Sequence, residues 1–152
     1  MRLVKNKHLI PALVLSFLGF IDASYLTIVH YRDLLPSCSV LKGCDIVTTS
    51  AFSTVGGIPI ALFGALFYLA LSFFAILIIT HPHKKWVELF TFFAYIGFLI
   101  SLFLFLIQIV ILKAVCQFCI SSEIISFLIY ILSIGMTRHV RSAGREKGKE
   151  KS

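Results

Sequence analysis

Four long apolar runs leave this chain one kind of fold. They extend from about Leu9 to Val29, Ile58 to Thr80, Trp86 to Leu112 and Cys116 to Met136. Each is long enough to cross a hydrocarbon core, which takes roughly 20 helical residues. The chain has 152 residues, 59% of them hydrophobic and 14% charged, whereas a soluble domain is about half apolar and about a quarter charged. So much apolar surface cannot be hidden in one core and must meet lipid. The expectation is an all-α integral membrane protein, a four-transmembrane-helix bundle over residues 1–136 followed by a basic cytoplasmic tail, 137–152. The length leaves no room for an added soluble domain. Arg2, Lys5 and Lys7 give the first run the look of a signal peptide. The run is too long for that, and no A-x-A-like cleavage site follows it.

A net charge of +7 could mean nucleic acid, but its placement points to membrane topology instead. Arg2, Lys5, Lys7, Lys84, Lys85, Arg138, Arg141, Arg145, Lys147, Lys149 and Lys151 fall on one side of the four runs. Arg32, Lys42 and Lys113 fall on the other. Cytoplasmic loops carry the excess of Lys and Arg, so both termini and the His81–Trp86 turn are expected in the cytoplasm. The loop of residues 30–57 and the turn Lys113–Val115 then face outward. The expected location is the cell membrane, multi-pass. The polar tail reads as disordered and basic, suited to anionic lipid heads.

The connections are short apart from the outer loop. The link His81-Pro82-His83-Lys84-Lys85 predicts that spans two and three are antiparallel neighbours. Gly56-Gly57-Ile58-Pro59 marks the entry to span two, where Pro is tolerated in a first helical turn. Residues 46–55 mix hydroxyl and apolar side chains, a pattern suited to a short interfacial helix or a plain loop.

All four cysteines fall at the outer edge. Cys38 and Cys44 lie in the long loop, and Cys116 and Cys119 form a C-x-x-C opening the last span. A C-x-x-C at a helix start puts both sulfurs on one face, and the positive helix end favours a thiolate. Lys113 should add to that effect. Cys116 is expected nearer the water, exchanging with another disulfide. Cys119, one turn deeper, is expected to meet a membrane-soluble oxidant. Five residues including Gly43 separate Cys38 from Cys44, so a small-loop disulfide between them is plausible. Exposed, strained disulfides are the labile ones. Two competing readings remain, structural outer disulfides and a four-Cys zinc site. The loop pair lacks the C-x₂₋₄-C spacing of zinc ligands, and no metal is expected. The histidines read as interfacial residues.

At these residues the chain resembles the vitamin K epoxide reductase family, specifically its bacterial and archaeal members without a fused thioredoxin-like domain. The resemblance covers residues 8–136. It rests on the loop pair Cys38 and Cys44, the hydroxyl of Ser50 six positions later, Gly57-Ile58-Pro59 and Cys116-Gln117-Phe118-Cys119. The run Ile60–Tyr68 resembles the family's second span. The unrelated DsbB family has the two kinds of pair in the reverse order.

The resemblance implies a membrane thiol–disulfide oxidoreductase. Electrons would pass from a separate exported thioredoxin-fold protein (DsbA-like) through Cys38 and Cys44, then Cys116 and Cys119, to a quinone, ubiquinone or menaquinone. The effect would be to support disulfide formation in exported proteins. It also implies a Cys44–Cys116 intermediate. Where vertebrate members carry an Asn and a Tyr that contact the vitamin, this chain has Ile60 and Glu123. A plain respiratory quinone is therefore the expected acceptor. Phe63, Phe67 and Phe118 are candidates to line a flat quinone pocket.

Acids inside spans are costly and often functional. Glu123, one turn below Cys119, is a candidate proton donor to reduced quinone, or else a structural partner of Gln108 or a hydroxyl. Asp22 reads as a polar bond at the bundle edge. The rival class for the whole chain is a non-enzymatic assembly or transport subunit with structural disulfides.

Overall fold

The computed structural model describes residues 6–32, 34 and 43–150. Cys38, Lys42, Arg2 and Lys5 lie outside them. The elements are helices α1 (Asn6–Tyr31), α2 (Cys44–Thr49), α3 (Ile60–Thr80), α4 (Lys84–Leu106) and α5 (Gln117–Glu150), with a two-stranded hairpin of β1 (Thr54–Val55) and β2 (Ile58–Pro59). A 3₁₀ turn (Ala51–Ser53) follows α2, and a π-helical segment (Ile107–Leu112) extends α4. Among the described residues four helices are long and apolar enough to cross a membrane, at Lys7–Tyr31, Ile60–Thr80, Lys84–Leu112 and Gln117–Ser142.

The four spans form a ring in which α1 packs on α3 and α5, and α4 packs on α5 and α3. Spans two and three are neighbours as their short link requires. Membrane helices associate without a hydrophobic drive between them, so close packing and polar bonds must hold the bundle. Small residues provide the packing. Gly64 on α3 lies against Ala23 on α1. Gly19 on α1 leaves room for the Tyr68 ring, which would stand 2.6 Å from an added Cβ. Gly97 on α4 accommodates the Phe67 ring in the same way. Consecutive α3 side chains therefore lock into α1 and α4.

Polar bonds cross the ring as well. Tyr68 donates to the Ser122 carbonyl at 2.7 Å and meets the Ser122 and Ser126 hydroxyls at 2.9 and 2.8 Å. Its one proton goes to the carbonyl, so both serines are left to donate. Thr91 on α4 pairs with Thr137 on α5 at 2.8 Å. The outward faces carry exposed Phe, Leu and Ile, such as Phe17, Phe73 and Phe103, as lipid contact requires.

Two expectations need correction. The chain does not lose regular structure at Met136, since α5 runs on to Glu150. Arg, Glu and Lys are good helix formers, and no proline interrupts them. The Gly-Pro entry to span two is a hairpin, with Pro59 at the cap position before α3 and not in its first turn. Gly56 and Gly57 have φ +61 and +83. Positive φ at both central residues is what a type I′ hairpin turn demands. Span three ends at Leu112 as expected, with its last six residues π-helical.

Candidate active site

Cys116 occupies the cap of α5. Its carbonyl accepts the Ile120 N–H at 3.0 Å, the first bond of the helix. The sulfur takes the place a serine oxygen usually holds in an N-cap. It receives the Cys119 thiol and the N–H groups of Cys119 and Phe118. These bonds, the Cys119 thiol first, hold the Cys116 thiol down to about 7 although burial opposes them. The Lys113 charge is not among the causes. Lys113 instead ends the π segment, exposed and left-handed at φ +47.

Cys116 is not the water-exposed member of its pair. It is fully buried at 0% exposure, while Cys119 is partly open. The reason is α2, which lies over the Lys113–Val115 turn. Cys44 and Val47 of α2 share one apolar cluster with Ala114 and Cys116. The contact is close because position 43 is Gly. A Cβ there would stand 2.6 Å from Val115 N and 2.8 Å from Val115 O. Cys44 is disulfide-bonded, whereas Cys116 and Cys119 are free thiols. A disulfide-bonded Cys44 and a free Cys116 thus lie in one cluster.

Cys119 opens instead onto a cavity of about 720 Å³, lined by α1, the α2–β2 segment, α3, α4 and α5. Phe63, Phe67, Ser50 and Glu123 also line it. Ser50 donates to the Val47 carbonyl at 2.8 Å and so closes the end of α2. Phe118 does not line the cavity. It turns toward Tyr25, with ring centroids 5.0 Å apart, and packs beside the Cys116 cluster.

Glu123 is bonded as one of its two readings required. Gln108 Nε2 donates to its Oε1 at 3.0 Å. Gln108 is buried in the π segment, and its Oε1 accepts the Cys116 N–H at 3.4 Å. One side chain thus ties the acid on α5 to the backbone of the capping cysteine. This second bond was not foreseen, and its only signal was a Gln within an apolar span. Asp22 is also placed differently from expectation. It stands on the cavity wall, and its Oδ2 is buried without a hydrogen-bond partner among the described residues. Among those residues no three His, Cys, Asp or Glu side chains group as a metal site.

The sequence profile of the Vitamin K epoxide reductase family matches residues 10–134. The chain belongs to that family. No curated protein matches it. Membership makes the chain a membrane oxidoreductase of thiols and disulfides in a family that reduces quinones. The cavity fits that acceptor class. Its volume lies in the range of small-molecule sites, and its walls are mostly apolar with a few polar groups.

Proposed function

We propose that this protein passes electrons from an exported thioredoxin-fold partner to a respiratory quinone, through Cys38 and Cys44 and then Cys116 and Cys119. It would sit in the cell membrane with both termini cytoplasmic and the cysteines outside, supporting disulfide formation in exported proteins. One observation carries the reading. Cys116 is sealed against Cys44, while its pair mate Cys119 opens on the cavity.

The chemistry follows from those positions. The partner's dithiol reduces the loop disulfide by thiol exchange and leaves oxidised. Cys44 thiolate then attacks the Cys116 sulfur of the Cys116–Cys119 disulfide, and Cys119 leaves as thiolate and takes a proton. Cys38 thiolate next attacks Cys44, closing the loop disulfide and releasing Cys116 as thiolate. The N–H groups at the start of α5 stabilise that leaving group. A bound quinone supplies the oxidant, accepting two electrons and two protons. Cys119 faces it from the wall, and Cys116 closes onto Cys119 as the electrons leave. Gln108 engages Glu123 Oε1 and leaves Oε2 to pass the Cys119 proton into the cavity.

Single mutants test the reading directly. Cys38→Ala or Cys119→Ala should accumulate a Cys44–Cys116 mixed disulfide, seen by mass spectrometry. In cells depleted of quinone, both pairs should accumulate as thiols. Pairs that stay oxidised, with no cross-link in any single mutant, would mark structural disulfides and sink the relay.

A further inference from the structure

The relay as proposed leaves one proton without a source. With Cys116 as thiolate, closing the Cys116–Cys119 disulfide releases two electrons and one proton, that of Cys119. Forming a hydroquinone consumes two electrons and two protons. Glu123, one turn from Cys119 on α5, can relay the Cys119 proton to one quinone oxygen. The other oxygen needs a second acid, and it needs one within the same cavity.

We propose that Asp22 is that second acid, donating the remaining proton to the quinone from α1. The inference rests on the quinone reading above. Two observations place Asp22 in this role. Its side chain lines the cavity that Cys119 and Glu123 line, from a different helix. Its Oδ2 is shut away from solvent yet has no partner among the described residues. A buried polar atom is nearly always bonded, and an intramembrane acid is costly unless something pairs with it. Because Oδ2 has no surface open even to the cavity, the oxygen that can meet a partner there is Oδ1, and the partner is a ligand oxygen reached by one shared proton. In the oxidised acceptor, Asp22 O–H donates to a carbonyl. After transfer, the carboxylate accepts from the hydroxyl so formed. The acid is recharged from outside, because the same cavity extends past His30 at the last turn of α1 to Ser50–Ser53 in the outer segment.

The test uses the full chain in lipid nanodiscs, kept reduced at Cys116 and Cys119 by an excess of a small dithiol whose direct reaction with quinone is subtracted, with a short-chain benzoquinone as probe. Asp22→Asn keeps the shape and removes the proton. It should lower kcat by about tenfold or more, as loss of a general acid does, and leave KM within about twofold. The solvent deuterium isotope effect should grow. Cys44–Cys116 exchange should be unchanged. The melting temperature should not fall, because an oxygen that makes no bond has none to lose. Asp22→Glu should recover part of the rate. Full kcat in Asp22→Asn overturns the proposal, as does a raised KM with kcat intact. A lowered melting temperature or an unfolded variant overturns it too, since the carboxylate would then be structural. Failure of the unsubstituted protein to reduce the benzoquinone is a different result. It would defeat the relay reading itself.

Discussion

Cys116 does two jobs with one sulfur. As a helix cap it satisfies N–H groups that a helix start leaves open. Those same groups make it a better thiolate and a better leaving group. The largest single contribution is the Cys119 thiol, which gives a testable sign. In reduced protein, thiolate absorbance should rise through a pH of about 7, and below that the proton returns and exchange slows. In Cys119→Ala the rise should move upward, toward the ordinary value of 9.0. An unmoved titration would mean the backbone alone sets it. At Glu123 the expected result is kinetic. Glu123→Gln should lower quinone turnover at least about tenfold, on the order of 1.4 kcal/mol of barrier, while Cys44–Cys116 exchange is nearly unchanged. Full turnover would reduce Glu123 to a structural partner of Gln108. The four-residue step from Cys119 to Glu123 was legible because helical spacing fixes it. Asp22 was not, for a physical reason. A span that is apolar on every side carries no periodicity to say which face turns inward, so its lone acid could not be aimed from the sequence.

The elements that bring the two pairs together are the least regular ones. α2 has six residues, too few to stand as an isolated helix, and it holds its place by packing on the turn before α5. That turn depends on the π segment, where the Gln108 carbonyl accepts the Ala114 N–H at 3.2 Å and the N–H of Lys113. Such segments often mark functional sites. Here the extra turn width ends α4 and sets both Gln108 contacts. Neither the π segment nor the docking of α2 could be read from the sequence. Both arise from long-range packing, whereas the Gly-Gly pair at 56 and 57 was a local turn signal, read as the entry to span two and not as a hairpin. Gly43 tests the docking. In Gly43→Ala the new Cβ meets Val115 backbone, which cannot yield as a flexible side chain can, so α2 must lift. Trapping of the Cys44–Cys116 mixed disulfide in a Cys119→Ala background should fall about tenfold, a barrier increase of about 1.4 kcal/mol. Quinone reduction by prereduced Cys116 and Cys119 should persist. Equal trapping would mean that Cys44 reaches Cys116 without α2 seated.

At the scale of the whole molecule, one orientation decides whether any of this chemistry is useful. The four-span bundle itself followed from the apolar runs, because lipid admits few alternatives to helices for a chain of this composition. The bundle alone does not say which end faces the cytoplasm. Lys84 and Lys85 open α4, where a helix N-terminus disfavours positive charge. The Lys84–Glu88 pair, 3.4 Å apart and with both side chains well exposed, offsets little of that. Their position is better explained as a topology signal than as a stabilising feature. With Arg138 and Arg141 near the far end of the last span, it puts the basic ends of α3, α4 and α5 on one face of the membrane. In the proposed orientation the hairpin, α2, Cys44, Cys116 and Cys119 would share the opposite, extracytoplasmic face, the oxidising side where a disulfide relay has substrates. Single reporter cysteines in a variant with all four native cysteines replaced by Ser should read this out. Val55 is exposed at the hairpin and His83 is exposed in the link between α3 and α4. An impermeant maleimide on intact cells should label Val55→Cys at once and His83→Cys only after lysis. The reverse pattern would put the cysteine pairs in the reducing cytoplasm, where the loop disulfide would be reduced without a partner and the bundle could not feed a pathway of exported disulfides.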